Sequence, residues 1–306
     1  MCLNQSDIIC LDHGYATTRR LSVVKPIDYQ RIDRILQNKL YGGLRKKSFY
    51  KQSFPDKPLI SIITVVYNGN YELEETIRSI LGQNYDNLEY IIIDGGSEDG
   101  TLDIIRRYDE YIDFWISEPD EGVYDAMNKG IDFAFGDWLN FINAGDRLLH
   151  LDVKSLQKTS TCYCYDERFG KINRRPLTKI FLCRNTPYHQ SVFYKKTDIR
   201  YYDLKYPVNA DYEQKTRIVA RIGKGGTNNS LVYYSEPGLS KIDRAEPIST
   251  LRARLRMQRS IIKQNLGWPY FFIAAIHSVR IILRKAFTML INNVRSRDRQ
   301  QSPDKK

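Results

Sequence analysis

Between residues 58 and 146 the chain alternates short β-branched runs with amphipathic stretches, and few folds accept that alternation. Residues 59–67 (Leu-Ile-Ser-Ile-Ile-Thr-Val-Val-Tyr) are nearly continuous in β-branched side chains. Such a run suits a strand buried on both faces. Asn68-Gly69-Asn70 breaks it, and residues 73–83 then place Leu73, Ile77, Ile80 and Leu81 on one helical face. Further strands are expected at 90–94, 114–118 and 138–142, with a helix at 102–108 behind a Gly-rich turn. Units of roughly 25–30 residues are what parallel βαβ crossovers require. The expectation is an α/β domain around a mostly parallel sheet.

Acidic residues punctuate the ends of those strands: Asp94, Glu118 and Asp146. In an open parallel sheet the ligand crevice lies outside the carboxyl ends of the strands. Carboxylates converging there suit a polyol or a metal–diphosphate better than a bare anion. The commonest alternatives are missing from the sequence. There is no G-x-x-x-x-G-K-[ST], no G-x-G-x-x-G after the first strand and no G-x-S-x-G.

Charge divides the chain sharply. Residues 250–306 hold 13 Lys and Arg against 2 Asp and Glu, whereas residues 1–249 hold 34 of each. A basic tail on a neutral body points to a polyanionic partner, and neutrality of the body argues against nucleic acid. Residues 250–290 carry Trp268, Phe271, Phe272, Ala275, Ile276, Val279, Ile282, Leu283, Ala286, Met289 and Leu290 at helical spacing, interrupted by Arg280, Arg284 and Lys285. That pattern is too charged for a membrane span and predicts a basic amphipathic helix in an anionic membrane interface, with packing on the domain as the alternative. Residues 1–57 read as an N-terminal extension with a helix-like run at 29–40. Residues 58–245 read as the main α/β domain, in two parts that meet near residue 150, and 246–306 as the tail. Residues 150–245 mix strand-like runs at 181–183, 191–194 and 230–234 with a helix at 211–222. The first fourteen residues lack a basic start and an apolar core, so no secretory leader is expected. Cys2, Cys10, Cys162, Cys164 and Cys183 are odd in number and scattered, which suits free thiols in a reducing cytosol.

Four motifs occur in order: Ile63-Thr64-Val65-Val66-Tyr67-Asn68; Asp94-Gly95-Gly96-Ser97-Glu98-Asp99-Gly100-Thr101; Glu118-Pro119-Asp120-Glu121-Gly122-Val123-Tyr124-Asp125-Ala126-Met127-Asn128-Lys129-Gly130; and Asn143-Ala144-Gly145-Asp146. With them the chain resembles the family 2 glycosyltransferases, inverting enzymes of the GT-A fold, and among them the branch that builds bacterial exopolysaccharides such as colanic acid. The resemblance is strong over residues 58–150 and moderate from Tyr188 to Arg217.

It implies the following roles. Asp94 accepts from the nucleotide base or ribose, with Thr64 and Tyr67 lining the base pocket. Asn128, Lys129 and Asn143 face the diphosphate or sugar. Asp146 ends the acidic motif that holds Mg²⁺ or Mn²⁺, although Asn143 and Gly145 stand where carboxylates often do. Asp211, in Asn209-Ala210-Asp211-Tyr212-Glu213, is the base that deprotonates the acceptor, with Glu213 as the fallback. His189 and Gln190 meet the acceptor or diphosphate; His13, His150 and His277 are read as structural. The implied donor is a nucleotide-diphosphate sugar, UDP by default, and the implied acceptor a glycan or lipid-linked glycan in cell-surface polysaccharide synthesis. The expected location is cytoplasmic, peripheral on the inner membrane leaflet. Two rival readings remain: a sugar nucleotidyltransferase on the same fold, and an inactive membrane- or nucleic-acid-binding adaptor.

Overall fold

The computed structural model describes residue 36 and residues 39–47, 49–156, 162–168, 171–172, 177–235 and 247–300. The expected runs at 29–35 and 301–306, Cys2 and Cys10, and the side chains of Cys162 and Cys164 lie outside the described residues or side chains.

Four parallel strands make the centre: β2 (Ile60–Val66), β3 (Leu88–Asp94), β4 (Phe114–Ser117) and β5 (Trp138–Phe141). They pair in the order β4-β3-β2-β5. All seven residues of β2 and of β3 are buried, as strands covered on both faces must be. The crossovers are α1 (Leu73–Leu81), α2 (Thr101–Arg107) and α3 (Val123–Phe133). Ile60, Ile62 and Val66 of β2 share one apolar cluster with α1 and α2, while Ile63 and Val65 share another with α3 on the other face. That second contact is close. A Cβ on Gly130 of α3 would stand 2.5 Å from Ile63 Cγ2, so only glycine fits.

The flanks are antiparallel. β1 (Leu40–Gly42) pairs with β4, and β9 (Val192–Lys195) pairs with β5. Beyond β9 lie β7 (Cys162–Arg168), β10 (Gly226–Tyr233) and β6 (Arg147–His150), with β8 (Lys171–Ile172) on β7. Short helices α4 (Val153–Leu156) and α5 (Lys179–Leu182) fill the connections. The run at 181–183, read above as a strand, is this helix instead. Thr178 caps it by accepting from Phe181 N at 3.1 Å, and three apolar residues carry no period of their own.

Part of the segment before residue 58 is built into the sheet. Besides β1, Arg45 is buried, donates to Phe133 O at 2.7 Å and pairs with Glu89. Lys51 Nζ lies 2.8 Å from Asp113 Oδ2, also buried. Burial lifts the Asp113 carboxyl above its ordinary range in spite of the Lys51 charge.

Helix α6 (Ala210–Ile222) covers the α3 face of the sheet. The tail forms two helices, α7 (Ile248–Leu266) and α8 (Trp268–Gln300). Gly267, at φ +89°, stops the first, and Pro269 suits the first turn of the second. Leu251, Leu255, Ile261 and Ile262 of α7 are buried, and α7 packs on α6. Among the described residues no helix is long and apolar enough to cross a membrane. Cys183 is a buried free thiol whose pKa burial raises to about 11.

Candidate active site

The order β4-β3-β2-β5 places the topological switch point between β2 and β5. Tyr67 to Asn70 leave the carboxyl end of β2 there, and Asn143 to Asp146 follow β5. Asp94 ends the neighbouring β3. The strand-end groups therefore surround one crevice.

Asp94 is fully buried and held from two sides. Ser97 donates through Oγ at 2.5 Å and N at 3.1 Å, and Ser117 Oγ donates at 2.6 Å. The same Ser97 Oγ accepts from Asn68 N at 2.8 Å. Asn68 is the only non-glycine with positive φ (52°) among the described residues, and its Oδ1 accepts from Glu98 N at 3.1 Å. Asp99 accepts from Asn70 N and from Thr101 N, both at 3.1 Å. The Gly-rich turn thus fixes the loop after β2 and aims Asp94 at the same time. Tyr67 is two-thirds exposed at the mouth of the crevice. Thr64 is different: it is fully buried within β2 and accepts from Tyr90 OH at 3.1 Å.

Asp120 also reaches this corner, which the motif alone did not single out. A Cβ on Gly95 would stand 2.6 Å from Asp120 Oδ2, so glycine lets the carboxylate approach the end of β3. Burial raises the Asp120 pKa, and the Asp125 and Asp94 charges add to the rise.

Asn128 and Lys129 turn to the protein itself. The Asn128 side chain donates to Tyr202 O at 3.0 Å and accepts from Tyr202 N at 2.7 Å. Lys129 Nζ pairs with Glu118 at 3.2 Å and Asp125 at 3.5 Å and donates to Pro119 O at 3.0 Å. Both residues shape the loop at 118–125 and its neighbour at 202.

Asp146 is buried at the other side of the crevice. Its Oδ2 accepts from Gln190 Nε2 at 2.6 Å, and its Oδ1 from Ser235 N at 2.9 Å. Thr76 Oγ1 ties the turn by donating to Asp146 O at 2.8 Å and accepting from Gly145 N at 2.9 Å. Burial raises the Asp146 carboxyl to about 6, against the hydrogen bonds that stabilise its charged form. Asn140 Nδ2 holds Gln190 O at 2.9 Å. Around this point Asn140 Oδ1, Asn143 Oδ1, Gln190 Oε1 and His189 Nε2 are buried with no hydrogen-bond partner. Buried polar atoms are normally paired. Four such atoms, from β5, the turn after it and the turn at 189–191, leave polar capacity unused around Asp146.

No group of three or more His, Cys, Asp or Glu gathers to hold a metal among the described residues. One carboxylate and an orphaned amide oxygen, Asp146 and Asn143 Oδ1, do suit a hard cation that takes oxygen ligands, provided the ligand itself supplies the others.

A second cluster lies on α6. Asp211 is buried; its Oδ2 meets Lys215 Nζ at 2.5 Å and stands 4.0 Å from His189 Nδ1, and its Oδ1 accepts from Tyr124 OH at 3.0 Å. Burial alone would raise the Asp211 pKa, but the Lys215 charge, His189 and these hydrogen bonds outweigh it and hold the carboxyl below its ordinary value. Burial takes His189 down to about 4, so its imidazole is neutral near pH 7. Glu213, two residues on, pairs with Arg217 at 3.2 Å and points to α7 through Asn265 Nδ2 at 3.3 Å. His189 and Gln190 stand side by side in the 3-10 turn His189–Ser191, one meeting Asp211 and the other Asp146. They join the strand-end crevice to the α6 cluster.

The Glycosyl transferase family 2 model matches residues 61–212. A PGL/p-HBAD biosynthesis glycosyltransferase of Mycobacterium bovis is 32% identical over 178 residues, covering 52% of this chain and 69% of that protein. The chain belongs to glycosyl transferase family 2. An uncharacterized glycosyltransferase of Mycobacterium tuberculosis is 41% identical over 97 residues, which span 31% of this chain and only 37% of that relative. S. aureus TarS residues 1–349 in complex with UDP superposes with a TM-score of 0.49 at 14% identity, covering 68% of this chain and 66% of that one. Within the family 2 framework, the parallel centre flanked by helices is the GT-A architecture expected from the motifs.

Proposed function

We propose that this chain transfers one sugar from a nucleotide-diphosphate donor to a hydroxyl of a glycan or lipid-linked glycan, with inversion at the anomeric carbon. The observation that supports the reading is the bridge at His189-Gln190, which links a buried carboxylate held below its ordinary pKa (Asp211) to Asp146 and to unpaired buried polar atoms.

In this reading Asp94 and Asp120 accept hydroxyl or ring N–H donors of the nucleoside, and Tyr67 offers its exposed ring as a stacking face. Thr64 acts behind them by fixing β2 against β3. Asn128 and Lys129 act by shaping the donor loop. Asn143, Asp146 and Gln190 line the diphosphate end. A divalent cation, Mg²⁺ or Mn²⁺, held by Asp146 and Asn143 Oδ1 would supply charge neutralisation to the leaving diphosphate. The acceptor oxygen attacks the anomeric carbon as the bond from that carbon to the diphosphate oxygen breaks. The nucleoside diphosphate leaves, and the hydroxyl proton passes to Asp211. A modest base suffices because the proton becomes acidic as the new bond forms. Tyr124 and Lys215 hold Asp211 in place. His189, neutral and with a free Nε2, orients the acceptor.

UDP is the starting expectation for the nucleotide. The relative named for PGL/p-HBAD biosynthesis supports a cell-surface glycan or glycolipid acceptor. The test is release of free nucleoside diphosphate from a panel of UDP-, GDP- and dTDP-sugars with Mn²⁺. Release from one nucleotide class, lost in Asp211→Asn, supports the transfer. Release of pyrophosphate from a nucleoside triphosphate and a sugar phosphate would favour a nucleotidyltransferase instead.

A further inference from the structure

Helix α8 carries a continuous apolar ridge that the other described residues leave exposed. Trp268, Phe272, Ile276, Val279, Leu283, Phe287 and Leu290 follow one another at steps of three or four residues and are all more than half exposed. On an α-helix they form one stripe about 33 Å long. The opposite side of the same helix is packed: Ala274 and Ser278 are buried, and α8 lies against α5 and α7. The ridge is therefore the face left over after the helix has docked, and contiguous exposed apolar faces mark interaction sites.

Helix α7 carries a second stripe of opposite character. Arg252, Arg256, Arg259 and Lys263 recur at steps of three or four, and Arg252, Arg256 and Lys263 are exposed. None of the four is in an ion pair with an acidic side chain among the described residues. Within residues 247–297 there are ten Lys and Arg and no Asp or Glu. The two stripes meet at the hairpin, where Lys263 Nζ stands 4.0 Å from the Trp268 ring centroid. On the ridge's flank Arg280 and Arg284 are also exposed.

We infer that the α7–α8 hairpin is an anionic-membrane docking element, in which the α8 ridge enters the acyl boundary and the α7 ladder meets the headgroups. An apolar ridge alone would suit another protein or a second copy equally well. The unpaired basic ladder that joins it selects an anionic lipid surface, since each Lys or Arg near such a surface adds attraction and a second copy would bring the same charge. Docking is mechanically linked to the α6 cluster. Asn265 of α7 donates to Thr216 Oγ1 at 2.9 Å and to Glu213 Oε1 at 3.3 Å, and Asn209 Nδ2 meets Met257 Sδ at 3.2 Å. These contacts join the lipid-facing hairpin to the helix that carries Asp211, so a membrane-borne acceptor is delivered on the side of the base.

The test needs no substrate and does not depend on the transferase reading. The full chain is sedimented with vesicles of phosphatidylcholine alone or with about one fifth phosphatidylglycerol, while tryptophan emission is followed. Trp115 and Trp138 are buried, so a shift reports Trp268. The expected result is binding to the anionic vesicles only, a blue shift, and at least tenfold weaker binding for Arg252→Glu/Arg256→Glu and for Leu283→Asp/Phe287→Asp. Both variants change exposed positions, and unaltered thermal unfolding shows that they fold. A protein left in the supernatant with unshifted emission overturns the inference. So does a concentration-dependent dimer abolished by Leu283→Asp without lipid binding, or affinity for a DNA duplex without affinity for vesicles.

Discussion

Lys215 Nζ lies 2.5 Å from Asp211 Oδ2, one turn along α6, and both side chains are buried. Lys215 also donates to Pro187 O at 2.6 Å. The ammonium therefore cannot swing away, and the carboxylate it faces stays ionised where burial would otherwise protonate it.

Removing one partner of a buried pair strands the other. Lys215→Met is expected to lower unfolding stability by roughly 3–5 kcal/mol, and Lys215→Met/Asp211→Asn to recover most of the loss. Denaturant titration of both variants checks this. A single variant as stable as the wild type would show that the pair does not sustain the Asp211 charge. Asp211→Asn alone is expected to lower kcat by about 10²–10⁴ while donor affinity is kept.

Asp146 gives a pH signature. Its carboxyl is raised to about 6 in the folded chain, against about 3.9 when unfolded. A raised carboxyl stabilises the fold fully below its unfolded pKa, and that contribution is lost as pH rises through about 6. The stability of Asp146→Asn relative to the wild type is thus expected to improve from pH 4 to pH 7. Cation-dependent donor binding runs the other way and is expected to fall below about pH 6, where the oxygen ligand is protonated. Gln190→Ala removes a hydrogen bond to the charged form, so its acid limb moves to higher pH. Calorimetric titration of nucleotide with Mn²⁺ across pH reads both limbs.

Ser97 holds Asp94 and Asn68 together. Ser97→Ala is expected to weaken nucleotide binding by about tenfold or more, the scale of one hydrogen bond to a charged group. The kcat at saturating donor should change little, because the residue stands away from the Asp211 cluster.

Arg45 and Lys47 separate burial from mere charge. Arg45→Met leaves Glu89 buried with only the neutral donors Ser61 Oγ and Phe135 N and is expected to cost roughly 3–5 kcal/mol. Lys47→Ala breaks an exposed pair with Glu110 and should cost less than about 1 kcal/mol. Urea midpoints at equal slope compare them.

The β2-to-β5 half was legible because its strands are β-branched and doubly buried, which composition records directly. The strand-end carboxylates were legible for the same reason: topology places them once the strands are known. What each polar side chain touches was not. Asn128 follows the motif, yet its amide serves the backbone of Tyr202, a partner 74 residues away. Arg45 and Lys51 looked like charges of a polar extension, and only long-range pairing with Glu89 and Asp113 reveals why they are buried. Lys215 had a readable signal, an i,i+4 spacing from Asp211, but its other partner, Pro187 O, lies 28 residues away. The tail reads as one helix in apolar periodicity, and Gly267-Trp268-Pro269 was the break within it.

The most direct measurement is the thermal midpoint of the purified chain with UDP, GDP and dTDP, each with and without Mn²⁺, in the wild type, Asp94→Ala and Asp211→Asn. A ligand that binds only the folded state raises the midpoint by mass action. The account predicts that one nucleotide raises it for the wild type and Asp211→Asn, more strongly with Mn²⁺, and fails to do so for Asp94→Ala. No shift with any nucleotide, or an equal shift in Asp94→Ala, would contradict the placement of the donor at the ends of β2, β3 and β5.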